Sequence, residues 1–268
     1  MNFPKPIITR EHGSWAVLFV PMLIGVVYAG SFSINILLLA CSALGIFLSY
    51  APIHSVLREF SGISQGNEKV RASIIWAIIY VFAGILFIIP LFLQGYYHLI
   101  AFAVLGATSF FGNYFLTIKI QKSIVSDLIA IAGLTLSAPS AYYIATGLFD
   151  VNGAVLWILN FLFFGCSVFY VHMKIKVSAL KKDRLPLREK LTLGKLNILY
   201  HLFVVSVVII LSLYHYTPLT ATLAFVPMFV HAIYGTMNLS GSIKFKKLGI
   251  LLLAQSILFG VVLVFVWS

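Results

Sequence analysis

The sequence predicts an all-α, polytopic membrane protein on three observations. The chain of 268 residues is 61% hydrophobic and only 9% charged, far from the roughly 45–50% apolar and 25% charged makeup of soluble domains. Its apolar runs are continuous, each about as long as a helix needs to cross a hydrocarbon core of about 30 Å. Its basic residues fall only on alternate connections between those runs.

Lipid offers no hydrogen bonds to the backbone, so only helices or a closed barrel can cross it. A barrel strand would alternate in polarity, and these runs do not. They cover residues 13–30, 34–53, 72–93, 98–118, 124–146, 153–172, 196–213, 219–238 and 248–267, nine transmembrane helices in one integral membrane domain over 1–268. The first run follows Lys5 and Arg10 but leads into a helical hairpin without a small-residue cleavage site, so it reads as retained and not as a signal peptide. Asp127 carries the one formal charge inside these runs. Cys41 and Cys166 fall within spans and form no paired motif, which suits small packing residues.

Charge sets the topology. Lys5 and Arg10 precede the first helix; Arg58, Lys69 and Arg71 lie between the second and third; Lys119 and Lys122 between the fourth and fifth. Eight more lie between the sixth and seventh, from Lys174 to Lys195, and Lys244, Lys246 and Lys247 complete the eighteen. The other connections hold none, so the positive-inside rule puts the N-terminus in the cytoplasm and Ser268 outside. Topology and attraction to anionic headgroups account for the net charge of +11 without a nucleic-acid partner. The outer connections are short, whereas two cytoplasmic ones are long and are where loop-borne function is expected.

Polar residues within spans are costly, so their depth is informative. His12, His54, His172, His201 and His231 map to the cytoplasmic third, as do Asn113, Tyr114, Lys119 and Asp127, with Gln255 two turns into the last helix. They either line one inward-facing cavity or serve as separate anchors and interhelical hydrogen bonds. Asp127 opens its helix, where a carboxylate gains from the helix dipole and from Lys119 and Lys122 nearby. That is a structural account; the functional one makes it a ligand contact or proton carrier. Pro139 should kink the fifth helix and free a carbonyl. The segment Phe19-Val20-Pro21-Met22 recurs as Phe225-Val226-Pro227-Met228, too short a match to define an inverted repeat. Walker, dinucleotide-binding, paired-cysteine and haem-attachment motifs are absent, and no cofactor is predicted from the residues.

The opening Arg10-Glu11-His12-Gly13-Ser14-Trp15, leading into Phe19-Val20-Pro21, resembles the signature that opens the YwiC-like family of bacterial membrane proteins. Leu136 to Tyr143 with Gly147, Tyr200-His201-Leu202, and Leu248-Gly249-Ile250 with Gln255-Ser256 fit the same family. This resemblance implies a bacterial cytoplasmic-membrane location and assigns no activity. A more distant similarity is to the UbiA superfamily of intramembrane prenyltransferases. It rests on helix count, on orientation, on the passage Tyr114-Phe115-Leu116-Thr117-Ile118-Lys119 with Gly133 and Ala141-Tyr142, and on Trp157 through Tyr170.

That superfamily holds magnesium on two aspartate-rich motifs, in the loops after its second and sixth helices. At the first location this chain has His54, Arg58, Glu59, Asn67 and Glu68; at the second it has Asp183 and Glu189 among lysines. Magnesium is therefore weakly supported, and cation replaces carboxylate where phosphate would bind. The resemblance implies a UbiA-like bundle that binds a prenyl or lipid phosphate, with or without prenyl transfer. His12, Arg58, Lys119, Asp127 and Arg184 are the candidate substrate-binding residues. The alternatives are a small-solute permease and a noncatalytic component of a membrane complex. The topology is checked with alkaline phosphatase, which is active only outside: fused after Ser268 it is active, and fused after Lys195 it is inactive. The reverse pattern contradicts the orientation.

Overall fold

The structure is a computed structural model that describes residues 4–8, 12–62, 67–120, 123–180, 185–241 and 244–267, and of residues 12, 67, 118–120 and 245 the backbone alone. Every regular element among the described residues is helical. In order they are α1 (His12–Ala29), α2 (Ile34–Phe60), α3 (Asn67–Leu93), α4 (Leu99–Ile120), α5 (Ile124–Leu134), α6 (Ser137–Thr146), α7 (Val151–Ala179), α8 (Leu187–Leu213), a 3-10 segment (Leu219–Phe225), α9 (Val226–Met237) and α10 (Phe245–Trp267). Among the described residues, eight spans are long and apolar enough to cross a membrane, with α5 and α6 joined in one and the 3-10 segment and α9 in another. The shorter, apolar α1 makes nine. At 18 residues it is about 27 Å long, close to the core thickness of about 30 Å.

The long cytoplasmic connections expected from hydropathy are mostly helix. α2 continues to Phe60 and α3 starts at Asn67, while α7 runs on to Ala179 and α8 starts at Leu187, on a Pro186 N-cap. The physical reason is that a helix does not end where its side chains become polar. Its backbone ladder continues into the headgroup layer until a breaker stops it, and Pro186 is suited to starting the next helix rather than continuing the last. Lys174 and Lys176 are therefore helical residues, not loop residues.

The fifth span also differs from expectation. It breaks at Thr135–Leu136, and Pro139 sits in the first turn of α6, where its missing N–H has no intrahelical partner to lose. The Thr135 carbonyl accepts from the Ala138 N–H at 3.1 Å, and the Ala132 carbonyl accepts from the Trp157 indole N–H at 3.0 Å. Hydroxyls do the rest: Thr135 Oγ1 donates to the Ile131 carbonyl and Ser140 Oγ to that of Leu136, each at 2.8 Å, and Ser137 Oγ to that of Leu18 at 2.7 Å.

α7 is the core helix. It packs against α1, α5, α6, α8 and α10, and Leu156, Leu159, Phe163 and Val177 are almost fully buried. The Phe163 ring stacks on Phe259 of α10 with centroids 3.9 Å apart. Cys166 is buried in this core and Cys41 is exposed, and both are free thiols. By contrast α3 and α4 turn outward Ile78, Phe82, Leu86, Ile100, Val104 and Phe111, all exposed, a surface for membrane lipid.

Glycine permits a close helix approach between α2 and α3. A Cβ on Gly45 would stand 2.7 Å from the Gly84 nitrogen, which is backbone and cannot give way, and beside it Ser42 Oγ donates to the Gly84 carbonyl at 2.8 Å. Gly13, by comparison, has open space around it. Gly45→Ala is expected to cost about 1–3 kcal/mol of stability and to lower the melting temperature in detergent, while Gly13→Ala changes it little. Equal effects would contradict the packing.

Candidate functional site

Polar residues expected on the cytoplasmic side gather in two groups on opposite sides of α7. The first begins with the cap of α5. The Ser123 hydroxyl accepts from the Ser126 N–H at 3.2 Å, and Ser126 Oγ lies 2.9 Å from the Ser123 N–H, which donates to it. This reciprocal cap fixes the first turn and with it Asp127, the acidic residue of that turn. Asp127 Oδ2 lies 2.8 Å from His172 Nε2 on α7. A carboxylate can only accept, so Nε2 carries the proton. The two side chains are 25% and 18% exposed, which places the pair at the rim of the bundle rather than in its core.

α4 ties this group to the end of α2. Asn113 Nδ2 donates to the Ser126 carbonyl at 2.6 Å while its Oδ1 accepts from the Tyr50 hydroxyl at 3.1 Å. The Tyr114 hydroxyl donates to the Leu57 carbonyl at 2.8 Å and lies 2.9 Å from Ser61 Oγ. His54 stacks on Tyr50 and meets Tyr114 edge-on. Arg58 follows Leu57, yet among the described residues no hydrogen bond or ion pair joins it to Asp127. A hollow of about 510 Å³ lies beside it, between α2 and α3, lined by Glu59, Val70, Arg71, Ile74 and Ile75.

The second group joins α7, α9 and α10. Half-buried Lys174 donates from Nζ to the Gly235 carbonyl at 3.2 Å and lies 5.4 Å from the centroid of the Tyr170 ring. Tyr170, 3% exposed, sits with its hydroxyl against Gly235, where a side chain would fill the space it occupies. Its ring centroid is 4.4 Å from that of His231. His231 Nδ1 is 3.0 Å from Gln255 Oε1, and Gln255 Nε2 points at the Pro227 carbonyl at 3.5 Å. The amide oxygen therefore accepts, and His231 carries its proton on Nδ1. Among the described residues no carboxylate pairs with Lys174.

Of the five residues expected to share a site, Asp127 is thus paired with His172, and Arg58 stands apart on α2. Arg184 and the side chains of His12 and Lys119 lie outside the described residues. Neither Arg58 nor Asp127 is among the described residues that line the hollow between α2 and α3. Expecting them all in one described cavity missed Tyr170, Lys174 and His231 as a group. Depth had marked His231 and Gln255, and Lys174 counted among the loop cations able to meet a phosphate, whereas the interfacial Tyr170 gave no signal. Among the described residues, no group of three or more His, Cys, Asp or Glu side chains could hold a metal ion. Glu59, Glu68 and Glu189 belong to no such group among the described residues, and Asp183 lies outside them.

A hydrogen bond from the His172 imidazole to an ionised Asp127 carboxylate is charge-assisted whether the ring is neutral or protonated. A double-mutant cycle of Asp127→Asn and His172→Gln is expected to give a coupling energy of about 0.5–3 kcal/mol in thermal or denaturant unfolding. Additive effects would contradict the pairing.

A Haemophilus influenzae protein described as uncharacterized is 26% identical over 236 residues, covering 86% of this chain and 87% of that protein. No solved structure matches the chain. The model of a family described as YwiC-like protein matches residues 8–142, half of the chain, from the N-terminal approach to α1 through the buried first turns of α6. The chain is an integral membrane protein of the YwiC-like family.

Proposed function

We propose that the protein has a UbiA-like arrangement in the bacterial cytoplasmic membrane and binds an isoprenoid or other lipid phosphate from the cytoplasmic side, with or without prenyl transfer. The observation that carries this reading is Lys174, a cation turned into the bundle without a carboxylate partner among the described residues. A lysine at the centre of a membrane helix costs about 2.5–3.5 kcal/mol, less toward the rim. The face of Tyr170 offsets about 0.5–2 kcal/mol of that, and the Gly235 carbonyl takes one of three N–H donors. Two donors remain for an anion, with the Tyr170 hydroxyl and the His231 ring beside them. The exposed apolar faces of the neighbouring helices suit the hydrocarbon part of such a ligand.

Arg58, Arg71 and the other cytoplasmic basic residues would draw an anionic headgroup toward this rim. Asp127 then serves as the partner of His172, not as a contact of the phosphate. A small-solute permease is the second reading, and it rests on the Asp127–His172 pair, an ionisable couple able to exchange a proton at the membrane rim.

Reconstituted protein and radiolabelled prenyl diphosphates of several chain lengths, with and without magnesium, test both readings. Saturable binding is expected, weakened about tenfold or more by Lys174→Met, which is about 1.4 kcal/mol. Absence of both binding and turnover removes the lipid-phosphate reading. Accumulation of solute inside the vesicles that Asp127→Asn abolishes would favour the permease.

A further inference from the structure

The seam between α8 and α9 holds buried acceptors with nothing to accept. Asn197 and His201 are 1% and 2% exposed, and they lie one helical turn apart on the side of α8 that meets α9. Asn197 Nδ2 donates to Thr236 Oγ1 at 3.3 Å, and the His201 ring neighbours that of Phe229. The Thr236 hydroxyl already donates to the Ala232 carbonyl at 2.8 Å, which orients the Asn197 amide with its nitrogen toward Thr236. His201 Nδ1 is 2.7 Å from the Asn197 carbonyl, an acceptor only, so Nδ1 carries the proton and Nε2 a lone pair. Asn197 Oδ1 and His201 Nε2 are both buried and have no hydrogen-bond partner among the described residues.

We infer that this pair is a binding site for a neutral O–H donor. The charges around it select the class. No carboxylate among the described residues contacts either residue, so a cation would stand uncompensated in a bundle whose other ionisable side chains nearby, Lys174 and His231, are basic. An anion would meet two lone pairs. A neutral hydroxyl donor satisfies the acceptors without any charge. The shared chemistry has two sources: a resident water, which has two protons to give, or the hydroxyl of a lipid-soluble alcohol. Leu202 and Phe203 on α8 and Val230 and Ile233 on α9 are exposed and apolar, so the seam is flanked by surface that an isoprenoid alcohol could approach through the bilayer. The site is separate from the phosphate reading, because neither Lys174 nor His231 is one of its acceptors.

The test uses the full chain in lipid nanodiscs. A high-resolution cryo-EM map is expected to show ordered density within hydrogen-bond reach of Asn197 Oδ1 or of His201 Nε2, which identifies the resident-water case. Alternatively, tritiated farnesol binds saturably, and Asn197→Leu or His201→Phe weakens it about tenfold, which identifies the alcohol case. Either result supports the site, and the first needs no variant to fold. A seam without density and without farnesol binding overturns it. Prenyl diphosphate binding by the same variants reads the phosphate proposal independently and is expected to persist.

Discussion

Hydrocarbon cannot hydrogen-bond to a peptide group, and most of this structure follows from that. It makes every span helical, and it governs what happens where a helix stops inside the membrane. Between α5 and α6 the chain turns within the bundle, and two carbonyls that a continuous helix would have satisfied find other donors: the Ala138 N–H for Thr135 and the Trp157 indole for Ala132. The hydroxyls of Thr135 and Ser140 add second donors to carbonyls on either side of the break. α6 is buried along nearly its whole length, and Gly25 of α1 lies directly against the Ala138 carbonyl.

The same solvent sorts the charges. Exposed basic side chains stay where the helices meet the headgroups, and the helices extend to carry them there. α7 then separates two environments. His172 and Lys174 are two residues apart, about 200° around the helix, so the one reaches Asp127 on α5 and the other reaches Gly235 on α9. That geometry is why the carboxylate nearest in depth does not neutralise the lysine. On the α9 side, the Tyr170 ring face, the Gly235 carbonyl and His231, its proton fixed on Nδ1, lie around the cation.

Much of this was legible in the sequence. Apolar run length gave the spans, because burial of the backbone in lipid leaves no other solution, and the depth of Asp127, His231 and Gln255 marked them as residues needing partners. What could not be read was the identity of those partners. Asp127 and His172 are 45 residues apart, and no local pattern specifies which helix face meets which. Hydropathy also ended α7 near His172 because it measures side chains, whereas the helix ends where its backbone ladder does. Lys174 was therefore assigned to a loop and its position facing Gly235 was missed. Pro139 was read as kinking the fifth span, and the break falls at Thr135–Leu136, where the carbonyl four residues before the proline loses its helical donor.

The central claim is that an uncompensated cation on α7 receives the charged end of a lipid. A cryo-EM structure of the reconstituted protein with a non-hydrolysable prenyl diphosphate analogue measures this most directly. The account predicts density for the diphosphate within hydrogen-bond reach of Lys174 Nζ, between Tyr170 and His231. Density in the hollow beside Arg71 with none at Lys174, or a carboxylate seated on Lys174 in place of the ligand, would contradict it.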